Sequence, residues 1–236
     1  MERSRASGRR HWRLGRDVAL IFVVAVLASF LMKTFVVRSF YIPSASMENT
    51  LHVGDRIIVN ELVPKLTAVH RGDIVVFRDP GGWLPETVHT ESNPVASVMD
   101  AALSFVGIST QDSSQYLVKR VIGVPGDHVT CCNALGQLTV NGSPLSEPYA
   151  VVPSGGAKAA TRSFDVVVPS DSIWVMGDNR YNSRDSSLNQ ELPGKGFVPV
   201  KDVVGKAVAI TWPIEHWALV DSYPATFDGT SRQVSS

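Results

Sequence analysis

Three short stretches of this 236-residue chain bring reactive or hydrogen-bonding side chains to close spacing. The first runs Ile42-Pro43-Ser44-Ala45-Ser46-Met47-Glu48-Asn49-Thr50-Leu51. A serine hydroxyl becomes a nucleophile only beside a base, and two serines next to a proline are more often a turn or a cap. The second stretch, Lys119-Arg120-Val121-Ile122-Gly123-Val124-Pro125-Gly126-Asp127, places two cations inside an apolar strand. Strand alternation sends neighbouring side chains to opposite faces, so one of the two must point inward. A lysine facing apolar surroundings loses solvation of its charged form, which lowers its pKa and makes its amine a usable base near neutral pH. An edge strand with both heads in water is the plainer alternative. The third stretch, Gly177-Asp178-Asn179-Arg180-Tyr181-Asn182-Ser183-Arg184-Asp185-Ser186, gathers short polar side chains after an apolar run. Arg180 stands where a calcium loop would want a ligand, so a hydrogen-bonded lattice suits it better.

Other chemistries lack their residues. None of the six histidines sits in a triad motif, and neither a Gly-x-Ser-x-Gly elbow nor a His-Glu-x-x-His helix is present. Cys131 and Cys132 are adjacent and have no spaced partners of the kind a zinc site uses. They can close a vicinal disulfide, pair between chains or stay as thiols, and spacing does not choose among these.

The elements that must position these stretches begin with a charged tail. Of 22 basic and 22 acidic residues, Arg3, Arg5, Arg9, Arg10, Arg13 and Arg16 face only Glu2 in the first sixteen positions, so the remaining body is net acidic. That excludes a nucleic-acid-binding body. Val18 to Met32 is uncharged and mostly apolar, and Thr34 to Val37 continues the run past Lys33. About 20 such residues suffice to cross the hydrocarbon core, with the arginines holding the N-terminus in the cytoplasm. A cleavable secretory leader ending at Ser44-Ala45-Ser46 is the rival reading, but the run is long for one. No second uncharged run of that length follows.

Beyond the span, short β-branched runs alternate with Gly, Pro, Asp and Asn. Arg56–Val59, Asp73–Phe77, Tyr116–Ile122, Val166–Val168, Ile173–Met176 and Ala207–Ile210 read as strands of a mainly β, antiparallel body. Asn141-Gly142, between Gln137–Val140 and Ser143–Leu145, is the clearest hairpin signal. Val95, Val98, Met99, Ala102, Leu103, Phe105 and Val106 recur at helical spacing, which predicts a short amphipathic helix. The polar chain after Pro224 is expected to be disordered.

Together and in order, the Ser-x-Ser-Met, Arg-Gly-Asp-Ile-Val-Val-Phe, Lys-Arg-Val-Ile-Gly-x-Pro-Gly-Asp and Gly-Asp-Asn-Arg boxes resemble those of bacterial type I signal peptidases. The double cysteine and Gly81-Gly82-Trp83-Leu84-Pro85 look like the actinobacterial branch. The resemblance implies a Ser46 nucleophile, a Lys119 general base, a Ser44 hydroxyl at the oxyanion, and Ser183, Asp178 and Asp185 in support. It implies a cleft, with Phe40, Ile42, Met47, Leu51, Leu117 and Val118 as candidate lining, that binds an extended peptide along strand edges and selects small residues at −1 and −3. The implied partners are signal-peptide-bearing preproteins, the lipid bilayer and a nearby secretion translocase, with no metal or organic cofactor.

The expected organisation is a cytoplasmic tail (1–16), a single-pass plasma-membrane anchor (17–38), an extracytoplasmic catalytic core (39–123 and 171–220), an inserted β cap (124–170) and a disordered tail (221–236). The chain departs from the family pattern at Asn49, where proline is usual, and at Ser187, where a basic residue is common. The latter leaves a salt bridge to Asp178 or Asp185 to be made by Arg184 or Arg180. A self-cleaving Ser/Lys repressor would need a DNA-binding region, and an anchored non-catalytic peptide-binding β module would have no need of Ser46, Lys119 and Ser183 together.

Overall fold

A computed structural model of the chain describes residues 16–27, 36–84, 115–154 and 158–231. The chain divides into two compact units, residues 1–37 and 38–236. In the first, residues 16–27 are helical and expose apolar side chains from Val18 to Leu27. No helix among the described residues is long and apolar enough to cross a membrane. The expected span also runs through residues 28–35, which lie outside the described residues, as does the helix expected at 95–106.

The second unit is built on antiparallel sheets. Its strands are β1 (Val37–Tyr41), β2 (Arg56–Asn60), β3 (Ile74–Arg78), β4 (Tyr116–Gly123), β5 (His128–Cys131), β6 (Leu138–Val140), β7 (Ser143–Pro144), β8 (Phe164–Val167), β9 (Ser172–Met176), β10 (Val198–Pro199), β11 (Val203–Trp212) and β12 (Ala218–Leu219). The larger sheet has the order β1-β2-β11-β3-β4-β9-β10, with β12 paired to β11. The smaller has the order β7-β6-β5-β8.

Burial explains why β3 and β9 read as continuous apolar runs. Along β3, Ile74 and Val76 enter one core cluster with Phe40, Ile57 and Ala207, while Val75 and Phe77 enter another with Trp83, Leu117 and Val175. A central strand covered on both faces has no polar side to alternate with. The strands of the smaller sheet fall within residues 124–170, and their core, including Val129, Leu138 and Phe164, is shared with Trp174 and Met176 of β9. Asn141 and Gly142 both take positive φ, 52° and 83°, as a two-residue hairpin turn requires. Cys131 and Cys132 form a disulfide with each other.

The tail corrects an expectation. Residues 221–231 are ordered: Phe227 joins the core shared with the smaller sheet, and Asn141 Nδ2 and Ser143 Oγ donate to the Thr230 and Gly229 carbonyls. One aromatic side chain among polar ones is enough to dock the segment. Residues 232–236 lie outside the described residues.

Asp127 ties the two sheets together. Its carboxylate accepts from Arg71 Nε and Nη2 at 2.7 and 2.6 Å, from the Val124 N–H and from Asn141 Nδ2. Burial acts to raise its pKa, but the Arg71 bonds and the Val124 and Asn141 donors outweigh it and hold the carboxyl below its ordinary value. Asp127→Ala is expected to cost about 3 kcal/mol in urea unfolding at pH 7, because the guanidinium and two N–H donors lose their acceptor. A carboxyl with a lowered folded pKa stabilises above its unfolded pKa of about 4 and loses that contribution as pH falls through the folded value. The difference between wild type and Asp127→Ala should therefore shrink below pH 4.

Candidate active site

The stretch from Pro43 to Val53 forms a loop closed at its mouth by backbone bonds from Ile42 N–H to the Asp55 carbonyl and from Gly54 N–H to the Ile42 carbonyl. Within it, Ala45–Met47 makes a 3-10 turn. Met47 and Leu51 anchor the turn by dropping into the core, 1% and 0% exposed. Glu48 N–H donates to the Ala45 carbonyl, and Thr50 and Leu51 N–H both donate to that of Met47. Ser46 is thus held on a short turn with no side-chain freedom beyond its own rotamers.

Lys119 arrives from β4, in register opposite Val75 of β3. Its Nζ lies 2.7 Å from Ser46 Oγ and donates to the Val118 carbonyl at 3.0 Å. Burial lowers its pKa from 10.5 to about 8, against the opposing pull of the Asp185 and Asp178 carboxylates. Ser44 Oγ lies 3.3 Å from Ser46 Oγ.

Lys119 faces inward, as strand alternation requires of one of the pair, and Arg120 is buried as well, the two being 3% and 0% exposed. Alternation does send them to opposite faces, but both faces of β4 are covered here. Arg120 forks onto Asp178 through Nε and Nη2 at 2.9 and 2.8 Å. It also donates to the Gly72 and Asp221 carbonyls and stacks 4.0 Å over the Tyr149 ring. The partner of Asp178 is therefore neither Arg180 nor Arg184. Arg180 is itself buried and pairs with Glu147.

Ser183 donates to Asp185 Oδ2 at 2.9 Å, and no hydrogen bond between Ser183 and Lys119 occurs among the described residues. The other oxygen of Asp185 accepts from both the backbone N–H and the hydroxyl of Ser187 at 3.0 and 2.7 Å. A neutral hydroxyl thus stands in for the basic residue common at that position. Gly177 lets this segment approach the turn, since a Cβ there would collide with the Ser183 side chain and the Ser46 carbonyl oxygen. Asn49 has φ 94°, which proline's ring forbids, and its side chain donates to the Tyr149 carbonyl.

A cleft of about 160 Å³ lies beside Ser46. Phe40, Ile42, Met47, Leu117 and Val118 line it, together with Tyr41, Leu84 and Tyr116, which were not among the expected lining residues. Leu51 does not line it; it packs beneath the turn in the core with Ile57 and Val59. Asn179 was also missed. Its backbone N–H and side-chain amide donate to the Ser46 and Ala45 carbonyls at 3.1 and 3.2 Å, clamping the turn from the far side. Its place in the Gly-Asp-Asn-Arg box was the available signal.

Comparison with known proteins identifies the family of the chain. The family described as "Signal peptidase, peptidase S26" matches residues 15–212. A signal peptidase I of Mycobacterium tuberculosis is 41% identical over 228 residues, covering 88% of this chain and 76% of its own length. A probable signal peptidase I of Mycobacterium leprae is 38% identical, covering 87% and 79%. A probable signal peptidase I-2 of Synechocystis is 34% identical, covering 86% and 76%. This chain belongs to the S26 family of signal peptidases and is a serine peptidase.

Proposed function

We propose that the chain is a membrane-anchored endopeptidase that removes N-terminal signal peptides from exported preproteins, with Ser46 as nucleophile and Lys119 as general base. The observation that carries this reading is the 2.7 Å approach of a fully buried amine to the Ser46 hydroxyl. Neutral Lys119 takes the Ser46 proton as Oγ attacks the scissile carbonyl, and the Ser44 hydroxyl donates to the developing oxyanion. The ammonium then protonates the leaving amine. The regenerated amine activates a water that hydrolyses the acyl-enzyme. Asp178 and Asp185 shape the electrostatics around the amine, Asp178 through the Arg120 fork and Asp185 through Ser183 and Ser187.

Sheet edges support the mode of substrate binding. Among the described residues, β4 pairs with β9 only from Arg120 onward, whereas Tyr116–Lys119 pairs with β3 alone, and β1 ends the sheet. An extended peptide that runs between these two edges completes their backbone hydrogen bonding. The cleft volume is well under the roughly 300–1,000 Å³ of ordinary small-molecule pockets, which suits small side chains at −1 and −3. Trp212, Ile214, Trp217 and Leu219, all exposed on the hairpin formed by β11 and β12, support contact with the bilayer. The N-terminal tail then lies in the cytoplasm, with the catalytic core and its inserted cap outside, near the secretion translocase.

The test is processing of a preprotein with Ala at −1 and −3 by the full chain in detergent, followed from pH 6 to 10. A base that must be neutral gives kcat/KM rising about tenfold per pH unit and levelling above about pH 8, where burial places the Lys119 amine. A rate that falls between pH 7 and 9 would overturn the assignment of Lys119 as base.

A further inference from the structure

A second cluster of side chains lies at the base of the loop that carries Ser46, and the peptidase chemistry has no use for it. Asp55 is fully buried, and its two carboxylate oxygens meet two imidazoles. Oδ1 lies 2.8 Å from His216 Nδ1, and Oδ2 lies 3.8 Å from His52 Nδ1. The His52 and His216 rings are 4.9 Å apart between centroids. One donor atom from each of the three residues falls within 4.8 Å of the others.

We infer that His52, Asp55 and His216 form a binding site for a divalent transition-metal ion of the Zn²⁺ class. Two imidazoles and one carboxylate match the ligand preferences of Zn²⁺, Ni²⁺ and Cu²⁺, whereas Mg²⁺ and Ca²⁺ call for more oxygens. Tetrahedral coordination at about 2.0–2.1 Å sets the donors about 3.3 Å apart, so the rings need to close by up to about 1.5 Å. They have room to do so: the His52 and His216 side chains are 46% and 42% exposed. Their exposure also leaves the fourth position open to water. Asp55, by contrast, is held still, because its Oδ2 accepts the His52 backbone N–H and its carbonyl accepts from Ile42. The other contacts between histidine and aspartate, His70 with Asp73 and His128 with Asp165, bring only two ligands together.

The position gives such an ion a structural consequence. His52 and Asp55 belong to the closing end of the loop, while His216 belongs to the 3-10 turn Ile214–His216 between β11 and β12. A bound ion staples the base of the Ser46 loop to that hairpin, and it does so without touching the reacting atoms.

The test uses the full chain in detergent without substrate, so its outcome is independent of the peptidase assignment. Titration with ZnCl₂ is followed by calorimetry and by thermal melting, with MgCl₂ in parallel. One Zn²⁺ per chain and a rise in Tm of about 5 °C at saturation are expected, with no response to Mg²⁺. His52→Ala and His216→Ala each remove an exposed ligand and leave the buried Asp55 in place, so both proteins fold. Each should weaken Zn²⁺ binding by about tenfold or more, since even an outer-shell change costs that much. His128→Ala should bind like wild type. Absence of Zn²⁺ binding, or binding as tight as that of wild type by the His52→Ala and His216→Ala proteins, overturns the site.

Discussion

Ser46→Ala and Lys119→Met are each expected to lower preprotein processing by about 10⁴-fold or more while the protein stays folded. The two groups act as a unit, so the double variant should lose no more than either alone. Ser46 Oγ has its base 2.7 Å away, and no histidine lies in contact with it among the hydrogen bonds of the described residues. Without the amine nothing takes the proton; without the hydroxyl nothing attacks. The folded state of Lys119→Met supplies a further readout. Burial holds the Lys119 pKa at about 8 against 10.5, a cost of about 3 kcal/mol for keeping the charged form in the folded protein at neutral pH. The unfolded chain binds that proton more tightly, so the cost is fully present below pH 8 and fades as pH rises toward 10.5. Lys119→Met should therefore melt higher than wild type at pH 7, with the gap narrowing by pH 10. Retained cleavage in either single variant would remove the dyad from consideration.

Arg120→Leu is expected to destabilise the protein by about 3–5 kcal/mol in urea unfolding, a large part of the roughly 5–15 kcal/mol that holds an ordinary domain together. Arg120 and Asp178 have side chains wholly removed from solvent, and the guanidinium makes two bonds to Asp178 and one each to the Gly72 and Asp221 carbonyls. Truncation leaves a buried carboxylate with Thr50 Oγ1 as its remaining side-chain donor and two backbone carbonyls without their Arg120 donor. Arg120→Lys should recover less than half of the loss, because an ammonium cannot reproduce the planar fork or the stacking on Tyr149. A loss below 1 kcal/mol for Arg120→Leu would show that water enters and solvates Asp178 in place of the guanidinium.

These two residues, adjacent in sequence, mark the boundary of what sequence reading reaches. Apolar alternation and glycine-bounded turns located β2, β3, β4, β8, β9 and β11 to within a few residues, because strand periodicity and turn conformation are local properties. The Asn141-Gly142 hairpin was legible for the same reason, since its positive φ values are demanded by two consecutive residues. Arg120 was not legible as a buried cation. Its burial depends on Tyr149, Asp178 and Tyr223, which arrive from other parts of the chain. Similarly, Phe227 turned a polar tail into an ordered one by finding the core shared with the smaller sheet. Ser187 took a charged residue's place only because the segment after β9 folds back on Asp185.

The order and content of its motif boxes, readable from sequence alone, determined that this is a β-rich peptidase of the S26 family, because those boxes are contiguous and their residue types survive without coordinates. Tertiary structure alone decided which cation neutralises Asp178, which amide clamps the Ser46 turn, which apolar residues face the cleft and which lie beneath it. Those choices are pairings across separations such as 58 residues for Arg120 and Asp178 and 134 for Asn179 and Ala45. They are set by strand register and by which faces the sheets cover, and no local pattern carries that information.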